Sequence, residues 1–148
     1  MVYKPSVGAS GGIMLGWNSS RWSLLDHSIG CYSTSALLHD PSSGWKWTVS
    51  CVYEPQTSVE RVELWAELSM VRASWNAPWC ILGDFNVTRF IEDRNRGDTV
   101  KPDMELFSDW IAREGLLDIP IPNLAYTWSN MREVPSMAKL NRFLVCPD

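Results

Sequence analysis

Apolar and polar positions alternate in short runs over the first third of the chain, then take up a helical period. Residues 11–17 (Gly11-Gly12-Ile13-Met14-Leu15-Gly16-Trp17) read as a first strand, and Asn18-Ser19-Ser20 as the turn that follows. Trp22-Ser23-Leu24-Leu25 begins a second strand. Residues 32–39 and 45–53 read as two more, joined by Asp40-Pro41-Ser42-Ser43-Gly44, a run of turn formers. Val49, Cys51 and Tyr53 share one face of the later strand, which ends at Tyr53 before Pro55. Thr57 with Glu60 three residues on is a capping-box pattern. Leu64, Leu68, Val71 and Trp75 follow at i, i+4, i+7 and i+11, one face of an amphipathic helix that stops before Pro78.

The remainder alternates between strands, loops and one more helix. Residues 88–100 form a polar loop holding Arg89, Arg94 and Arg96 among Glu92, Asp93 and Asp98. Pro102 opens a helix whose Met104, Phe107 and Ile111 face inward, stopped by Gly115. Residues 116–119, 125–128 and 140–145 are short strands, with Pro120 and Pro122 marking a loop. Residues 1–10 are polar, carry Pro5 and Gly8, and read as a flexible N-terminus ahead of one domain over 11–148. Strands followed by strand–helix–strand alternation predict an α/β layered domain.

The chemistry concentrates at Trp79-Cys80-Ile81-Leu82-Gly83-Asp84-Phe85-Asn86. The apolar run follows Pro78 and is too short for a helix, so it reads as a strand buried on both faces. Alternation then puts Asp84 and Asn86 on one side, roughly 7 Å apart along the chain, with Phe85 anchoring the other. A carboxylate beside an amide supplies a proton acceptor or metal ligand next to a hydrogen-bond donor. Gly, Asp and Asn are also turn formers, so an Asx turn is the alternative reading of the same residues.

Composition narrows the class. A chain of 148 residues with 45% hydrophobic and 20% charged residues can bury a real core and is not disordered. Its nine tryptophans are spread along the sequence, which suits packing between layers better than an aromatic binding stripe. The formal charge of −4 means that no global positive field draws in nucleic acid. Cys31, Cys51, Cys80 and Cys146 are far apart, without a CxxC pair, so neither a zinc site nor a disulfide framework is expected. No apolar stretch approaches the ~20 residues of a membrane helix, and residues 1–10 lack the apolar core of a signal peptide. An intracellular, reducing setting is the expectation, the nucleus included.

Four elements in order carry a resemblance: Tyr53 at a strand end, Gly83-Asp84-Phe85-Asn86, Tyr126-Thr127-Trp128-Ser129-Asn130, and Lys139-Leu140-Asn141-Arg142-Phe143-Leu144. Together they resemble the endonuclease/exonuclease/phosphatase family of metal-dependent phosphodiesterases, and most of all the endonuclease domains of plant LINE-type retrotransposons. The resemblance implies a DNase I-like α/β fold, a two-sheet β-sandwich flanked by helices. It implies that Asp84 polarises the attacking water, that Asn86 holds that water or a phosphate oxygen, and that Tyr53 lies against the scissile phosphate. It places Thr127 on the nucleic-acid side of the site and Arg94 at the phosphate backbone, with Mg²⁺ as cofactor and DNA as partner. For Arg94 the alternative is a solvated charge balanced by Asp93. Trp128 is expected in the core.

The departures bear on activity. Family members have two earlier strands, one with an Asn and one with a metal-ligating Glu, and this chain starts after both. Glu54 follows Tyr53 where a small residue is usual, so it is no clear replacement. A closing Ser-Asp-His element is missing, and His27 and His39 stand far upstream in strand context. Asn141 occupies the place of the Asp that would charge the missing His, keeping an acceptor oxygen but losing the negative charge. The expectation is an incomplete sandwich, truncated at both ends, that is catalytically impaired, or else an inactive relic or interaction module. Trp17 and Trp22 are the candidates for an exposed apolar patch.

Overall fold

At the centre of the computed structural model, which describes residues 1–6, 11–53, 55–97, 99–122 and 124–146, stands a mixed six-stranded sheet. The strands in chain order are β1 (Val2–Lys4), β2 (Ile13–Leu15), β3 (Ser23–Ile29), β4 (Ser33–His39), β5 (Lys46–Tyr53), β6 (Trp79–Asp84), β7 (Leu117–Ile119), β8 (Trp128–Ser129), β9 (Met137–Ala138) and β10 (Asn141–Val145). Helix α1 (Ser58–Ser74) joins β5 to β6, and α2 (Pro102–Arg113) precedes β7. The main sheet runs β3-β4-β5-β6-β10-β7, parallel only between β5 and β6.

The parallel pair follows from the crossover. Two strands joined by a helix can lie side by side only if the helix carries the chain back along one face of the sheet. Helix α1 starts as the sequence predicts: the Thr57 side chain accepts from the Glu60 amide, and Glu60 answers at the Thr57 amide. Its Leu64, Leu68 and Val71 are buried, joined by Trp65. Trp65 stacks on Phe107 and Trp110 of α2, at ring-centroid distances of 5.1 and 4.9 Å, and both helices cover Ile81, Phe85 and Leu144. Each such fully buried side chain contributes roughly 1.5–3 kcal/mol of transfer free energy.

The opposite face carries a second cluster. Ala36, Leu38 and Val49 of β4 and β5 are covered there by Val2 and Leu15. The expectation of a flexible stretch over residues 1–10 is corrected at Val2–Lys4, which pairs antiparallel with Ile13–Leu15. A three-residue strand shows too little alternation to be read from sequence; burial of Val2 against β4 holds it. This two-stranded pair forms a second β-layer, so the architecture is α/β with two packed sheets and the helices outside. Trp17 and Trp22 are half-buried against that cluster rather than exposed. Exposed apolar side chains lie instead on β3, as Leu24, Leu25 and Ile29, because β3 is the sheet's edge with every residue open.

Candidate functional site

Sheet register builds the site. The parallel pairing sets Tyr53 opposite Asp84, and the antiparallel pairing sets Asp84 opposite Asn141. Three neighbouring strands, spaced about 4.8 Å, therefore present a phenol, a carboxylate and an amide in one row. All three point away from the helices, since Ile81 and Phe85, and Arg142 and Leu144, are buried on the helix side. Asn141 lies on β10 within the main sheet, beside β6, and not across from it in a second sheet. Gly83 makes the close approach possible. It sits at φ 133°, where a Cβ would fall 2.0 Å from the Val52 carbonyl oxygen of β5.

At the end of β6 the turn reading is what forms, and Asp84 and Asn86 line one cleft. Asn86 adopts the left-handed region at φ 50°, and its amide donates to Asp84 Oδ1 at 2.8 Å, an Asx turn. Asn86 Nδ2 donates to the Pro55 carbonyl at 2.9 Å, stitching the end of β6 to the segment after β5. One of the two Asn86 amide hydrogens is thus engaged, which leaves the second N–H and the acceptor Oδ1 for a water or a phosphate oxygen. Phe85 is fully buried under both helices, as predicted. From α1, Arg61 donates to the Asn86 carbonyl at 3.2 Å and to Asp103 at 2.7 Å. The Arg61 bond, with one from Ser58, holds the Asp103 carboxyl below its ordinary value.

A cleft of about 490 Å³ opens at this strand end, lined by Asp84, Asn86, Arg94, Lys101, Met104 and Trp128 among others. Tyr53, Thr127 and Asn141 are not among its lining residues; the first and last flank Asp84 along the sheet. Thr127 lies one residue before β8, and its hydroxyl oxygen accepts from the Leu140 and Asn141 amides at 2.8 and 3.0 Å. Its hydroxyl is the peg that sets the start of β10. Arg94 is half-buried and donates to the Thr99 carbonyl at 3.0 Å. The alternative reading, in which Asp93 balances Arg94, is not what forms. Asp93 instead accepts from Arg142 and from the amides of Arg89 and Phe90.

That network escaped the sequence reading. Arg142 is 2% exposed and bonds both Asp93 and Asp118, while Arg89 lies 3.5 Å from Asp118. The arginine alternates with Asn141 and Phe143, so strand periodicity does place it on the helix face. Its partners come from a single 3-10 turn, Ile91–Asp93, and a three-residue strand, which no local pattern links. Trp128 is corrected in the other direction: it is 48% exposed and lines the cleft. Two-residue strands give no alternation from which to tell core from surface. Glu54 lies outside the described residues.

Solved structures share this fold. The endonuclease domain of TRAS1, a telomere-specific non-LTR retrotransposon, superposes on 77% of this chain and 51% of its own, with 13% identity and TM-score 0.59. D. rerio TDP2 complexed with single strand DNA product matches 97% of this chain and 61% of its own, with 17% identity and TM-score 0.61. An endonuclease/exonuclease/phosphatase family protein from Bacteroides thetaiotaomicron matches 88% and 53%, with 10% identity and TM-score 0.60. This is the endonuclease/exonuclease/phosphatase fold. The chain spans between half and about three-fifths of the length of these three structures of that fold. No protein-family model and no curated protein matches the sequence.

Within this fold a Mg²⁺ site can be tested against the donors present. Mg²⁺ is held by one or two carboxylates together with waters and substrate phosphates. Among the described residues, no three His, Cys, Asp or Glu side chains cluster. Asp84 brings one carboxylate to the row, and the cleft's other carboxylate, Asp103, is engaged by Arg61. Among the described residues a Mg²⁺ ion here would therefore rest on Asp84, with waters and substrate phosphate completing its shell.

Proposed function

We propose that the cleft beside Asp84 binds the phosphodiester backbone of DNA, in a nuclease-type fold of the LINE retrotransposon class, with hydrolysis by this chain impaired. The row Tyr53–Asp84–Asn141, aligned by sheet register, with its Asp84 lining a cleft that also holds Arg94 and Lys101, carries this reading. The GDFN, TWSN and LNRFL elements support the retrotransposon assignment, as does the likeness in fold to the TRAS1 domain. Asp84 accepts the proton of an attacking water, Asn86 Oδ1 orients that water, and the Tyr53 hydroxyl donates to charge developing on the phosphate. Arg94 and Lys101 contribute salt-dependent affinity that does not depend on base sequence. DNA as the partner makes the nucleus the place of action. That no three such donors cluster among the described residues supports impairment, and equally a second reading in which the fold is kept as a binding module.

Supercoiled plasmid with and without Mg²⁺ separates these readings. We expect salt-sensitive DNA binding and little nicking. Nicking that is abolished by Asp84→Ala would make the chain a competent endonuclease. Absence of any salt-dependent binding would sink the DNA reading altogether.

A further inference from the structure

Trp128 is set in the cleft by backbone pairing and not by core packing. It faces Ala138 across the β8–β9 pair, the Thr127 amide donates to the Ala138 carbonyl at 2.9 Å, and Arg94 bridges to Ala138 on the other side. Trp128, Ala138 and Arg94 thus stand on three adjacent backbone segments. The indole of Trp128 is 48% exposed, and among the described residues no aromatic ring or cation lies over it. Trp65, Trp79 and Trp110, by contrast, are buried, with Trp110 stacked on Trp65 and edge-on to Trp79. An open indole is apolar on its faces, while the cleft around it is polar and carries Arg94, Lys101 and Asp84. A ligand that satisfies both must bring a flat π-surface and an anion joined by a short spacer.

The geometry points to an unstacked nucleobase on Trp128, with its phosphate held by Arg94 and Lys101, so that the cleft selects single-stranded or locally unpaired DNA over base-free phosphoesters. This rests on the phosphodiester-binding reading and adds a substrate class to it. A cleft of about 490 Å³ lies within the range of small-ligand sites, roughly 300–1,000 Å³. Base-on-aromatic stacking tolerates any base, because each has a π-face, so the selection is for unpaired structure and not for sequence.

The test uses two fluorescein-labelled probes, a ten-thymidine oligonucleotide and the same backbone with abasic residues, titrated by anisotropy without Mg²⁺. The unaltered protein should bind the thymidine probe roughly tenfold or more tightly than the abasic one. Trp128→Ala should abolish that preference, Trp128→Phe should retain most of it, and neither should change the salt dependence. Arg94→Gln should lower the salt slope by about 1 on both probes. Equal affinity of the unaltered protein for both probes overturns the inference, whatever the variants do, and leaves phosphate binding standing if the Arg94 effect is present. A loss in Trp128→Ala that is the same on both probes also overturns it, since the indole would then only support β8–β9. If neither probe binds, the inference and the reading beneath it both fall.

Discussion

Replacing Arg142 with Met removes a charge from the least exposed ionic cluster described here while keeping most of the side chain's volume. Arg142 holds Asp93 and Asp118, whose side chains are 10% and 12% exposed, and its own is 1% exposed. Arg142, Arg89, Asp93 and Asp118 together carry no net charge. Without Arg142 two nearly buried carboxylates face one partly exposed guanidinium. Removing one partner of a buried pair costs about 3–5 kcal/mol, because the charge left behind has lost both water and partner. The guanidinium also lies 5.8 Å from the Phe107 ring centroid, worth about 0.5–2 kcal/mol more. Urea unfolding followed by tryptophan fluorescence should show a loss of at least ~3 kcal/mol, a fall in Tm of roughly 10 °C. A second carboxylate change tests the cause. Arg142→Met with Asp118→Asn should lose less than the sum of the two single variants, by about 1–3 kcal/mol, because the residues share one network. A single-variant loss under ~1 kcal/mol, or strict additivity, would show that the cluster is well solvated and refute this reasoning.

Two further outcomes follow from the bonds described. Asp40 accepts from the Ser42 hydroxyl, the Ser43 hydroxyl and the Ser42 amide, which lower its pKa from 3.8 to about 2. Its folded pKa lies below the unfolded one, so its stabilising effect is present above pH 3.8 and is lost as pH falls through about 2. Asp40→Asn should flatten the acid limb of the melting curve in that window, and an unchanged limb would show that these bonds do not persist in solution. Thr127→Val removes the acceptor for two β10 amides and should cost about 1–3 kcal/mol in chemical denaturation, with Thr127→Ser close to unaltered; equal loss in both variants would point to the methyl group instead.

The sequence made the β5–α1–β6 unit legible because three independent signals agreed there. Turn formers closed β5 at Pro55, the capping box opened α1, and the apolar run after Pro78 announced β6. Asp84 with Phe85 followed from period-2 alternation alone, and Tyr53 and Asn141 from the motif resemblance. Legibility failed where long-range pairing decides. Val2–Lys4 is a strand only because Ile13–Leu15 and β4 receive it. Arg142 looks like any strand residue until Asp93 and Asp118 arrive from 49 and 24 positions away. Thr127 and Trp128 are neighbours whose roles are opposite, one tied to backbone amides and the other open to the cleft. Only the β8–β9 pairing separates them.

The row formed by Tyr53, Asp84 and Asn141 divides the chain into segments where length matters and segments where it does not. Loss of one residue between Val49 and Tyr53, or between Ile81 and Asp84, moves a side chain by one position and hence to the opposite face. The phenol or the carboxylate would then sit among Leu64 and Phe107, with no intermediate state available. Added residues in the loop at 41–45, or at the 130–136 tip between β8 and β9, leave the row untouched. Drift in related genes should therefore show as a ragged pattern of gaps in those loops and an unbroken count along β5 and β6. Sheet pairing acts on this chain as a reading frame acts on codons: it ignores substitutions at many places but not a shift by one.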